Sequence, residues 1–161
     1  MKSLTAASVT LAIYALDQAT KWWTVDAYNH GNLPRPVIPG YFDLVYWQNT
    51  GAAFSIGDGK NGLFIALAIV ALIGFITAWI RGVFKDNPSR WGVALLLGGI
   101  LGNVTDRIVH GHVVDFLLFN LHVPFADPWP AFNVADSAIC TAVGLFIIAS
   151  FRPEPKAAAA S

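Results

Sequence analysis

The chain has 161 residues, 55% of them hydrophobic and only 12% charged, with ten basic and ten acidic side chains and a formal net charge of zero. Soluble domains carry about a quarter charged residues, so this composition points to a membrane protein, and the lack of a basic stripe argues against nucleic acid as a partner. The single cysteine, Cys140, excludes an intrachain disulfide and a cysteine-built zinc cluster. Inside its apolar run it reads as a packed core residue.

Residues 4–23 form the first apolar segment, preceded by Lys2 and ending on Trp22 and Trp23. No A-x-A cleavage site follows, and Asp17 and Lys21 interrupt the run, so it reads as a transmembrane helix rather than a removable signal peptide. Asp17 lies four residues before Lys21, which favours an ion pair on one helical face, a structural tie to neighbouring helices. Residues 24–62 are a first loop. Pro34, Pro36, Pro39 and Gly40 block helix there, and the β-formers of Tyr41–Trp47 predict a short strand or hairpin. The small residues of Asn49-Thr50-Gly51-Ala52-Ala53-Phe54-Ser55 allow a backbone to approach a ligand closely, though a simple turn explains them as well. Gly57–Gly62 is turn-rich and lacks the spacing of a P-loop.

Residues 63–80 are an uncharged second span, and a short loop with Arg81, Lys85 and Arg90 leads to a third at 91–108. Gly98 and Gly102, four apart, give the third span a face that another helix can approach. Residues 132–151 are the fourth span, and 152–161 a flexible tail. The expected fold class is therefore an all-α membrane protein of four transmembrane helices with a small β-containing extracytoplasmic loop region. It forms a single integral membrane domain over 1–161, without internal repeats. Lys2, Arg81, Lys85, Arg90, Arg152 and Lys156 fall on one side of such a bundle, so the positive-inside rule places both termini in the cytoplasm. Five of the six tryptophans lie near the expected span ends, as an interfacial belt requires.

The polar residues of the second half carry the chemistry. Asp115 sits between Val113-Val114 and Phe116-Leu117-Leu118, and Asp136 opens the last apolar run. Ionisable groups at the edge of hydrocarbon are costly and therefore functional candidates. Two close carboxylates cannot easily both ionise, so one can take a proton from water while the other polarises a scissile carbonyl. For Asp136 alone there is a structural reading: Asn133 as N-cap and Asp136 as the third helical residue complete a capping box. Asn103, Asp106 and Arg107 fall at i, i+3 and i+4, either as staples of the bundle or as substrate contacts. His110, His112 and His122 with Asp115 suggest a metal site, but the H-E-x-x-H spacing is missing and exposed loop histidines are the preferred reading.

Taken together, D-Q-A-T-K (17–21), N-T-G-A-A-F-S (49–55), G-G-I-L-G-N-V-T-D-R (98–107), G-H-V-V-D-F (111–116) and F-N-V-A-D-S (132–137) resemble the motifs of bacterial lipoprotein signal peptidase, or signal peptidase II, in that family's order across nearly the whole chain. The resemblance implies an aspartyl endopeptidase of the bacterial inner membrane with its site near the outer face. It would need no cofactor or metal, and would remove the signal peptide from a diacylglyceryl-modified prolipoprotein just before the lipidated cysteine. It also implies Asp115 and Asp136 as the catalytic pair, and Asn49, Asn103, Arg107 and Asn133 as substrate-binding residues. Asp17, Lys21 and Asp106 would give structural support, and membrane lipid would surround the chain. A small transporter or proton-coupled carrier using Asp115 and Asp136 as a relay is the alternative, and a metallopeptidase a third reading; the oligomeric state is left open.

Overall fold

The computed structural model describes residues 1–51, 57, 59–124 and 127–151. Ala52, Ala53, Phe54 and Ser55 of the small-residue segment, Asp58, and the expected tail 152–161 lie outside the described residues. Four helices, α1 (Ser3–Asn29), α2 (Asn61–Ile80), α3 (Asn87–Val109) and α4 (Val134–Ser150), alternate with four strands, β1 (Arg35–Ile38), β2 (Phe42–Asn49), β3 (Val113–Phe119) and β4 (Trp129–Phe132). The architecture is mostly helical with one small antiparallel sheet. α2 and α3 are each long and apolar enough to cross a membrane. α1 buries Asp17, Lys21 and Thr24 along one side, and α4 has 17 residues. At 1.5 Å per residue, the 27 residues of α1 make a rod of about 40 Å, longer than a ~30 Å hydrocarbon core. It continues six residues past the expected end at 23, and Tyr28 stacks on Tyr46 of β2 with ring centroids 4.4 Å apart.

α3 is the central helix and packs against the other three. Glycine makes this possible. A Cβ on Gly98 would stand 2.8 Å from that of Ile13 and 2.9 Å from the Thr10 carbonyl oxygen, both on α1. A Cβ on Gly99 would stand 2.6 Å from the Ala135 carbonyl oxygen of α4, and one on Gly102 would collide with the Asp17 carboxylate. The expected Gly98/Gly102 face is thus the α1 contact, and Gly99 adds a second contact toward α4. Such close approach is how helices associate where lipid removes the hydrophobic drive between them. α3 starts where Asp86 accepts a hydrogen bond from the Ser89 amide (2.8 Å), with proline in its first turn.

The sheet is larger than the strand or hairpin expected in the first loop. Its order is β1-β2-β3-β4, all antiparallel, so two hairpins from different loops join through β2 and β3. Val113, Val114, Asp115 and Phe116 are all buried. A strand covered on both faces shows no alternation, which is why Val113–Phe119 reads as part of an apolar run. Pro36 and Pro130 occupy the two edge strands, where a missing amide proton costs no ladder bond. The sheet packs on α1 and α3.

Candidate active site

β3 and α4 carry the two aspartates into one polar cluster, and Asn133 joins them. Asn133 has no exposed surface and is the N-cap of α4. Its side-chain oxygen accepts from the Asp136 amide (2.9 Å), while its backbone N–H donates to Asp136 Oδ2 (3.1 Å). This is the capping box expected from N-V-A-D, and it leaves the Asn133 side-chain NH₂ free for other work. That group donates to Asp115 Oδ1 at 2.7 Å, with longer contacts to the Val114 carbonyl (3.3 Å) and Asn103 Oδ1 (3.2 Å). One asparagine therefore holds both carboxylates. The capping box expected at Asp136 is present, and it stands beside Asp115.

Each carboxylate has one further amide donor. Asn49, at the end of β2, donates to Asp115 Oδ2 at 2.9 Å. Asp115 pairs with Trp47 across the β2–β3 ladder, so Asn49 lies on the diagonal of the same face. Asn103, on α3, donates to Asp136 Oδ1 at 2.7 Å. Burial, then the charge of Asp136, push the Asp115 carboxyl up to about 7, against the Asn49 and Asn133 hydrogen bonds and the more distant Lys21 that favour its ionised form.

Behind the carboxylates is a buried ionic cluster. Lys21 Nζ lies 2.8 Å from Asp17 Oδ2 and 3.0 Å from Asp106 Oδ2, with all three side chains at most 4% exposed. The Asp17–Lys21 pair expected from spacing is therefore present, and Asp106 completes it from α3. Gln18 of the same motif, to which sequence reasoning gave no role, bridges Asp17 Oδ2 (3.2 Å) and Asp106 Oδ1 (3.1 Å). Removing one partner from a buried ion pair strands a charge at a cost of about 3–5 kcal/mol, so this cluster is a unit.

A cavity of about 940 Å³ opens in front, with Asn49, Asn103, Arg107, Asp115 and Asp136 on its polar wall. Trp47, Leu118, Trp129, Phe132 and Ile139 give it an apolar remainder. Arg107 Nη2 donates to the Gly51 carbonyl (2.7 Å), and its guanidinium lies over the Phe64 ring, 5.2 Å from the centroid. It thereby ties the first loop and α2 to α3. Asn133, in contrast, is placed behind the carboxylates and not on the cavity wall. Cys140 corrects the core reading: it is exposed and lines the cavity one turn beyond Asp136. His110 and His112, ring centroids 6.1 Å apart, follow α3 at the turn into β3, where His110 is exposed and His112 half-buried.

The model of the family described as signal peptidase (SPase) II matches residues 9–152. The chain belongs to the signal peptidase II family. It is accordingly a peptidase, and hence a hydrolase. It is similar to the lipoprotein signal peptidase of Xylella fastidiosa (strain 9a5c), with 42% identity over 149 residues, 89% of this chain and 86% of that one. Against the lipoprotein signal peptidase of Neisseria meningitidis serogroup C (strain 053442), identity is 40% over 144 residues, covering 87% and 85%. A solved structure described as a bacterial membrane enzyme superposes with a TM-score of 0.81 at 29% identity, covering 97% of this chain and 96% of the other. A second of the same description gives 0.76 at 30% identity, covering 93% and 94%. The fold is thus that of bacterial membrane enzymes.

Proposed function

We propose that this peptidase removes the signal peptide from diacylglyceryl-modified prolipoproteins, cutting just before the lipidated cysteine, with Asp115 and Asp136 as an aspartyl pair. The observation that carries this reading is the attachment to Asn133 of two carboxylates that line an open, mostly apolar cavity. The pair shares one proton. Its ionised member takes a proton from water as the water oxygen bonds to the scissile carbonyl carbon, and its protonated member gives its proton to the carbonyl oxygen. The tetrahedral adduct collapses as the C–N bond breaks: the carboxyl that took the proton from water gives it to the leaving nitrogen, the other carboxylate takes back a hydroxyl proton, and a carboxylic acid and an amine result with the pair restored. Asn49 and Asn103 hold the carboxylates in orientation from the cavity side, and Arg107 faces the substrate backbone. Asn133 orients both acids from behind.

In this reading all four helices cross the bacterial inner membrane as one integral domain, with both termini cytoplasmic and the sheet at the outer face. Residues 4–23 of α1 and the full length of α4 supply the two spans beyond α2 and α3. A lipidated precursor is itself a membrane helix whose cleavage point lies near the outer interface. A cavity with one polar and one apolar wall suits that substrate, and membrane lipid surrounds the bundle. The same reading needs no metal.

The test is cleavage of a purified diacylglyceryl precursor beside its unlipidated form, with and without chelator, read by mass spectrometry. The expected product begins at the lipidated cysteine, forms only from the lipidated precursor, and is indifferent to chelator. Equal cleavage of both precursors, or a cut elsewhere, would contradict the proposal.

A further inference from the structure

The ionic cluster touches the backbone at two places that stand in the same relation to the two aspartates. Asp17 Oδ1 accepts from the Ala135 amide at 2.9 Å, and Ala135 immediately precedes Asp136. Asp106 Oδ2 accepts from the Val114 amide at 3.1 Å, and Val114 immediately precedes Asp115. Lys21 fastens these two carboxylates to each other at 2.8 and 3.0 Å. Its third contact is Asn103 Oδ1 at 2.9 Å, and the other end of that amide holds Asp136 Oδ1. An ammonium has three protons, and here each has an acceptor.

We propose that Lys21 is a positioning residue for the reaction: by gripping Asp17 and Asp106 it fixes the separation between the backbone of α4 at Asp136 and that of β3 at Asp115. The inference rests on Asp115 and Asp136 being the catalytic pair. α4 and β3 share no ladder of their own; they are joined along the chain by β4, whose Phe132, one residue before Asn133, pairs with Leu117 of β3. β3 is held by sheet partners on either side, and α4 is held by α3 and α1. The link through Asn133 is a single buried side chain. The Lys21 clamp adds a second tie, through one backbone amide of each element. Lys21 does not line the cavity and reaches it only through Asn103, which holds Asp136, so it is expected to act on turnover more than on binding.

The test is steady-state cleavage of the lipidated precursor by full-length Lys21→Met and Lys21→Arg, with Asp115→Asn and Asp136→Asn in parallel. Lys21→Met is expected to lower kcat at least about 100-fold, the effect of a misplacement near 1 Å, with KM within about threefold of wild type. Lys21→Arg, which keeps a multidentate cation, is expected to recover at least about tenfold of the loss. Asp106→Ala is the second variant should Lys21→Met fail to fold, because it leaves the Asp17–Lys21 pair charge-balanced while removing the acceptor that ties it to β3. It is expected to lower kcat at least about tenfold at unchanged KM. A folded Lys21→Met or Asp106→Ala with wild-type kcat overturns the proposal, as does a loss spread equally over kcat and KM that Lys21→Arg does not rescue. Cleavage by Asp115→Asn or Asp136→Asn would instead sink the catalytic reading itself. Inert aspartate variants beside a fully active Lys21→Met would sink only the clamp.

Discussion

Replacing Gly99 by alanine tests the α3–α4 contact on which the geometry of Asp136 depends. Gly99 is one helical turn before Asn103, on the face of α3 that meets the start of α4. A Cβ there would lie 2.6 Å from the Ala135 carbonyl oxygen and 2.7 Å from Ile139 Cγ1, where ordinary contact begins at 3.4 Å. The Ile139 side chain can turn away, but a backbone carbonyl within a helix cannot. α3 and α4 must therefore separate by about 0.8 Å, since neither helix deforms at that point. The Asn103–Asp136 hydrogen bond, 2.7 Å in the native structure, would open to about 3.5 Å and be lost. Overpacking of this kind costs about 1–3 kcal/mol of stability, and displacement of a catalytic group by nearly 1 Å costs about 10²-fold in rate. The assay is initial-rate cleavage of a lipidated precursor with thermal unfolding in the same detergent. Gly144→Ala is the control, because its Cβ meets nothing within 4 Å, and it is expected to leave the rate unchanged and to stabilise by up to about 1 kcal/mol. A Gly99→Ala enzyme with the wild-type rate would refute the argument that this contact sets the position of Asp136.

Two other outcomes follow from the site. Asn133→Ala removes the N-cap of α4 and the shared link between the carboxylates. It is expected to lower stability by about 0.5–2 kcal/mol and cleavage at least about 10²-fold, measured by thermal unfolding and initial rates. Cleavage should also depend on pH. Because burial and Asp136 hold Asp115 up to about 7, the pair keeps its proton below that pH and loses it as pH rises through it. The pH–rate profile is expected to fall on an alkaline limb near 7, a value belonging to the pair rather than to one residue. A rate that stays flat from about pH 6 to about pH 9 would contradict a shared proton.

The parts of this structure legible in the sequence are those governed by local spacing. Asn133 and Asp136 at i and i+3 form a capping box, Asp17 and Lys21 at i and i+4 form an ion pair, and Gly98 and Gly102 mark a close helix contact. The pairing of β2 with β3 was not legible, because it joins two loops some 60 residues apart through a strand buried on both faces. Asp106 was placed beside Asn103 by helical spacing, yet its function in the structure is set by the Val114 amide and Lys21, which no periodicity reports. Gln18 was passed over because a single amide on a helix leaves no pattern. Cys140 was misread because an apolar run does not report that the cavity opens on that face of α4.

The most direct test of the account is single-turnover cleavage of the lipidated precursor by Asp115→Asn and by Asp136→Asn, each shown folded and still able to bind the precursor. Both carboxylates are needed, one as acid and one as base, so each variant is expected to lose at least about 10²-fold in rate. Cleavage by either variant within about tenfold of wild type would contradict a catalytic pair.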